Sequence, residues 1–236
     1  MRMKFEIVGQ GDPFLHVNLQ KGEKIYCESD AMVSMEPTLE LSGKMQGGLF
    51  SALARKMAND ESFFNQYIEA VHGSGDVLLS PEIPGDLQIL NCSSDQQYFL
   101  NDGVFVAAAS TVELNVKRQG IGQALFAGSG GFFVTQTAGH GQVAVAGFGT
   151  VMELDITPQT PQIIDNHHVV AWDSRLRYSL SASTKKSSGL VGNLINSVTS
   201  GEGVVLKFEG TGKVYVCSRN RNAFLGWLSS KLTPNR

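Results

Sequence analysis

Apolar and polar residues alternate with a period of two through most of this chain, and turn residues break the alternation about every 8–12 positions. That pattern predicts many short β-strands, each burying one face. A Gly followed by an alternating run occurs at Gly85-Asp86-Leu87-Gln88-Ile89, at Gly149-Thr150-Val151-Met152-Glu153-Leu154 and at Gly212-Lys213-Val214-Tyr215-Val216, 64 and 63 residues apart. Other elements recur in the same order. Polar turns lead into apolar strands at Gly22-Glu23-Lys24-Ile25-Tyr26-Cys27, Asp102-Gly103-Val104-Phe105-Val106 and Asn166-His167-His168-Val169-Val170-Ala171-Trp172. Three repeats are therefore expected, over about 15–91, 98–156 and 162–219. The predicted architecture is a single all-β domain over 1–236, with three intertwined β units in pseudo-threefold symmetry. A closed arrangement of three such units removes exposed sheet edges.

Two segments change from period two to helical spacing. Gly48 to Asn59 places Leu49, Leu53 and Met57 on one face, predicting a short helical insertion in the first repeat alone. Asn222 to Leu232 places Phe224, Leu225, Leu228 and Leu232 on one face. Asn222 is a suitable cap for this C-terminal helix, and Pro234 stops it near Thr233.

Composition is that of an ordinary globular protein, with 42% hydrophobic and 17% charged residues and a net charge of −3. No overall basic footprint is present, so nucleic acid is not an expected partner. The N-terminus begins a strand and has no apolar core of a signal peptide. The three cysteines, Cys27, Cys92 and Cys217, lie in apolar alternation with no CxxC pair. They read as buried free thiols, which fits a cytoplasmic location.

The residues that carry chemistry are sparse. Asp165-Asn166-His167-His168 is the densest group of metal-ligand types. Adjacent histidines on a strand point to opposite faces, so the group reads more naturally as a turn than as a metal site. His72 and His140 occupy similar places beside Gly73 and Gly141. They read either as a shared polar site or as loop residues, and the third repeat has Ser200 or Gly201 there. The glycines between Gly120 and Gly131 lack phosphate-loop spacing and read as tight β corners. No Ser lies in a GxSxG elbow. No catalytic residue, metal or cofactor is expected, and the chain is not read as an enzyme.

Taken in order, several of these motifs resemble a known family. They are Gly22-Glu23 leading to Ala31-Met32-Val33-Ser34-Met35, then Gly47-Gly48-Leu49-Phe50, Glu61-Ser62-Phe63-Phe64, Gly75-Asp76-Val77-Leu78-Leu79-Ser80-Pro81 and Asp165 through Trp172. The family is the mitochondrial biogenesis, or altered inheritance of mitochondria, group. The resemblance implies three intertwined β repeats, similar to a double-stranded β-helix and to the subunit of the tryptophan-responsive RNA-binding attenuation protein. It defines no catalytic or ligand residue, and a fungal relative is linked to mitochondrial inner-membrane organisation. Fold likeness alone carries no function across.

The expected function is that of a non-enzymatic binding or scaffold protein beside a membrane. Its expected contacts to an unidentified protein partner or a membrane surface are Leu49, Phe50 and Leu53 of the insertion, with Phe224 and Trp227 of the C-terminal helix. The alternative is a small-molecule or nucleic-acid module using the pseudo-threefold axis. A chain that already holds three repeats is expected to be a monomer, or a small homo-oligomer joined through a residual edge.

Overall fold

The computed structural model describes residues 3–43, 65–119, 132–181 and 205–232. The predicted helical insertion, with Leu49, Phe50 and Leu53, lies outside these residues, as do the glycines from Gly120 to Gly131.

Nineteen strands and one α-helix form among the described residues. After β1 (Lys4–Val8), the strands fall into three sets of six. The first set is β2 (Phe14–Leu19), β3 (Lys24–Glu28), β4 (Met32–Met35), β5 (Glu40–Gly43), β6 (Asn65–Glu69) and β7 (Gly75–Leu79). The second is β8 (Leu87–Cys92), β9 (Tyr98–Leu100), β10 (Phe105–Ala109), β11 (Val112–Gln119), β12 (Phe132–Gly139) and β13 (Gly141–Ala146). The third is β14 (Val151–Ile156), β15 (Gln162–Asp165), β16 (Val169–Asp173), β17 (Arg177–Ser181), β18 (Val205–Glu209) and β19 (Gly212–Cys217). Helix α1 (Arg221–Leu232) follows.

The three sets share one antiparallel pairing scheme. The last strand of each set pairs with the first, as β2–β7, β8–β13 and β14–β19. It also pairs with the third, as β4–β7, β10–β13 and β16–β19. Each of these latter pairs has a register shift at the same place, leaving Val33, Val106 or Val170 as the extra residue. A bulge at a fixed position bends the strand in the same way each time.

The sets are intertwined. The second strand of one set pairs with the third strand of the next, as β3–β10 and β9–β16. The sheets consequently run β1-β2-β7-β4, β5-β6-β3-β10-β13-β8, β11-β12-β9-β16-β19-β14 and β15-β18-β17. Each six-stranded sheet draws three strands from one set and three from the next.

Strand pairing revises the phase of the sequence repeat. Strands β8 and β14, after Gly85 and Gly149, are equivalent, but the Gly212 strand is not their third copy. The third copy is β2, and Gly212 instead matches Gly75 and Gly141, which start β7 and β13. The sets thus span 14–79, 87–146 and 151–217. Alternation alone cannot distinguish two strands that both follow a glycine. These three glycines have a shared steric cause. A Cβ at Gly141 would lie 2.9 Å from Ala109 Cβ, and one at Gly212 would lie 3.0 Å from Asp173 Cβ. At Gly75 it would lie 3.0 Å from Leu39 Cδ2. In every set, the last residue of the third strand or the turn just after it lies against this point.

Two compact units result. One contains residues 1–93, 105–113 and 139–146, and its core includes Leu15, Val17, Ile25, Ile68, Leu79 and Val106. The other contains 94–104, 114–138 and 147–236. Its core gathers Trp172, Phe208, Leu206 and Ile156, with Phe99 and Tyr178 packed on it. The Trp172 ring lies 5.5 Å from Phe99, 5.2 Å from Tyr178 and 5.7 Å from Phe208, an aromatic cluster on the second unit's sheets. Cys27, Cys92 and Cys217 are buried and none is in a disulfide, as their setting in apolar alternation predicts.

Candidate functional site

The C-terminal helix starts one residue earlier than its sequence pattern suggests. The cap is Asn220, not Asn222: its Oδ1 accepts from the Ala223 amide at 2.9 Å, and its carbonyl accepts from Phe224. A side-chain oxygen three residues before the amide it receives is N-cap geometry, and Asn222 lies inside the first turn. The stop predicted near Thr233 lies outside the described residues, the last of which is Leu232.

The base of α1 is held by the loop between β13 and β14. Arg219 donates its amide to the Phe148 carbonyl at 3.1 Å, and Ser218 donates to Thr150 at 2.9 Å. The Ser218 hydroxyl in turn accepts from the Thr150 amide at 2.9 Å. Gly149, with φ of +77°, lets this loop turn closely beneath Ser218 and Arg219. The Arg219 guanidinium lies 5.8 Å from the Phe148 ring centre. Phe148 is buried, and on it rests Phe224 at 5.2 Å between centroids. Phe224 then stacks on Trp227 at 5.9 Å.

This short aromatic ladder ends in solvent. No residue of α1 is buried. Phe224 is 38% exposed, Leu225 46%, Trp227 56% and Leu232 72%. On a helical projection Trp227, Phe224, Leu228, Leu232 and Leu225 cover one side, and Asn222, Gly226, Ser229 and Ser230 the other. Arg221 and Lys231 fall on the apolar side. From Gly210 to the end the chain has Lys213, Arg219, Arg221, Lys231 and Arg236 and no Asp or Glu, in a protein whose net charge is −3.

The histidines occupy separate settings. His72 lies 2.8 Å from Glu40, with both side chains mostly exposed, and its amide donates to Thr38. His140 is also exposed, and its amide donates to Thr111, the residue of the second set that corresponds to Thr38. The two therefore make matching turn contacts through their backbones. His167 and His168 lie on a 3-10 turn capped by Asp165. His167 takes the place that Asp30 and Gly103 fill with positive φ of 62° and 67°, so a tight turn replaces a left-handed residue there. Its Nδ1 is 3.0 Å from Asp165 Oδ1, and its amide donates to the same oxygen. That hydrogen bond raises the His167 pKa against the opposing effect of burial. Burial alone would raise that of Asp165, but the bonds from the His167 ring and amide outweigh it and hold the carboxyl below its usual range. His168 Nδ1 sits 2.7 Å from the Cys217 carbonyl, tying the turn to the end of β19. Among the described residues no three His, Cys, Asp or Glu side chains are grouped to hold a metal ion.

Comparison with known proteins places this arrangement. The family model described as Mitochondrial biogenesis AIM24 matches residues 5–219. This chain belongs to the AIM24 family. An uncharacterized protein of Streptococcus pyogenes serotype M6 is 33% identical over 238 residues, covering 98% of this chain and 92% of that protein. The X-ray crystal structure of a Streptococcus pyogenes protein superposes with a TM-score of 0.78 at 32% identity, covering 98% of this chain and all of that one. The all-β fold is thus shared with a solved structure. The AIM24 match ends two residues before α1 begins. No described helix is long and apolar enough to cross a membrane.

Phe224 and Trp227, singled out by the sequence pattern, are exposed on α1, whereas Phe148 and Asn220, which contact the base of the helix, carried no such signal. Phe148 sits in the short Gly147-Phe148-Gly149 link, where the glycines advertise a turn and hide the aromatic's role.

Proposed function

We propose that this AIM24-family protein is a non-enzymatic binding protein that docks through α1, peripherally, on an anionic membrane surface. One observation carries the reading: α1 exposes Phe224, Leu225, Trp227 and Leu232 within a stretch whose only charges are positive. Exposed aromatics and leucines interspersed with Lys and Arg suit an interface of acyl chains and phosphates. Arg221 and Lys231 lie on the apolar side, where long stems cover apolar surface while their heads reach headgroups. Phe224, seated on Phe148, stacks on the exposed Trp227.

The two tryptophans make the test direct, because Trp172 is fully buried and Trp227 is exposed. The full chain is mixed with phosphatidylglycerol vesicles and, separately, with phosphatidylcholine vesicles. A blue shift of tryptophan emission and co-sedimentation with the anionic vesicles alone, weakened by salt, is the expected result. The F224S/W227S double variant, altered only at exposed positions, loses the co-sedimentation. If wild type ignores both vesicles, the membrane reading fails. Recovery from cells of a protein partner that needs the same two residues would then make α1 a protein-docking helix.

A further inference from the structure

The pairing scheme leaves two strands without the neighbour that their counterparts have. The second strand of each set pairs with the third strand of the next set in β3–β10 and β9–β16. By the same rule, β15 needs a third strand and β4 needs a second strand. Among the described residues, both end their sheets. Edge position alone says little, because β5, β11 and β17 end sheets in all three sets. The equivalents of β4 and β15, by contrast, are interior.

Burial repeats the distinction. Every residue of β10 and β16 is buried, whereas β4 has none buried. The bulge residues Val106 and Val170 are fully buried, but Val33 is 52% exposed. On β15, Ile163 is 58% exposed. Among the described residues, two short edges thus expose apolar side chains and backbone groups without a strand partner, the arrangement that strand addition uses.

We infer that β15 of one copy pairs antiparallel with β4 of a second copy, joining copies of this chain through the junction already used twice inside it. The existing junctions set the register. Cys27 faces Ala107 and Leu100 faces Ala171. Pairing with β6 and β18 makes Ile164 the counterpart of Cys27, and the common bulge makes Ser34 the counterpart of Ala107 and Ala171. Ile164 therefore lies opposite Ser34, and Ile163 opposite Met35. The occupant is specified by the fold itself: a strand with this register and bulge is what the other two junctions contain.

Two full-length variants, Ser34→Cys and Ile164→Cys, are purified reduced, mixed and mildly oxidised. The native cysteines are buried, so they contribute little background. The expected result is a disulfide-linked dimer from the mixture, at least tenfold above either variant alone. Wild type is expected to sediment above its 25.5 kDa monomer mass, and the V33K/I163K variant, changed only at exposed positions, at that mass. Wild type sedimenting as a monomer at tens of micromolar overturns the inference. So does a disulfide that forms only when both cysteines are on one chain, or one that joins like to like.

Discussion

A Cβ added to Gly212 would lie 3.0 Å from both Cβ and Oδ2 of Asp173. Asp173 cannot readily yield, because it is 1% exposed and its carboxylate is bound by Arg175 through Nε and Nη2. Gly212→Ala is therefore expected to destabilise the protein by about 1–3 kcal/mol, read as a lower urea midpoint. Gly141→Ala should cost at least as much, since Gly141 also has a φ of +139°. Gly226→Ala is the control. Nothing lies within 4 Å of its added Cβ, and the change should stabilise α1 by about 0.5–1 kcal/mol.

The same Asp173 makes stability depend on pH in the acid range. Burial alone would raise its pKa, but the bonds from the Arg175 side chain and amide and from Gln96 outweigh burial and hold it low. A carboxylate with a depressed folded value contributes stability above its unfolded value, near ~3.9, and loses it as pH falls through the folded value. Urea midpoints should therefore drop as pH is lowered from about 5 to 2. Asp173→Asn should flatten that drop while lowering stability at neutral pH.

His167 works in the opposite direction. Its pKa is raised by Asp165, so it contributes stability that is complete below the unfolded value near ~6.5. That contribution is lost as pH rises through the folded value. NMR titration should find His167 titrating above the usual histidine range. Asp165→Asn should bring it down and remove the corresponding part of the decline in stability.

Asn220 supplies the cap of α1, and no residue of the helix is buried. Asn220→Ala should therefore cost α1 about 1 kcal/mol while leaving the global midpoint nearly unchanged. Amide exchange checks this: Ala223 and Phe224 should exchange about fivefold to tenfold faster, and core amides of β16 should not.

Most of the fold was legible because burial on one face imposes alternation, and turn residues punctuate it. The C-terminal helix was legible because Phe224, Leu228 and Leu232 recur at helical spacing before Pro234. The repeat phase was not. Gly85 and Gly212 precede similar runs, but one starts a strand that receives the last strand of its set and the other starts that last strand. Only pairing separates them. The shared bulge at Val33, Val106 and Val170 was equally hidden, since a single Val gives no sign of which partner residue it skips. The aromatic ladder from Phe148 to Trp227 was half legible. Exposed aromatics can be read from a helix, but Phe148 lies 76 residues before Phe224 and meets it only through the closure of β14 on β19.

The sharing of each six-stranded sheet between consecutive sets has a consequence for how the chain is made. On a ribosome, β3 emerges early, but its neighbour β10 and the strands beyond it, β13 and β8, end only at Ala146. The first large sheet therefore cannot be complete until well over half of the 236 residues have been synthesised. Until then β3, paired with β6 on one side only, offers an open edge to any other nascent chain. Vectorial synthesis can complete only the β1-β2-β7-β4 sheet early, so the yield in cells should depend on translation speed and on chaperones that shield the waiting edge of β3.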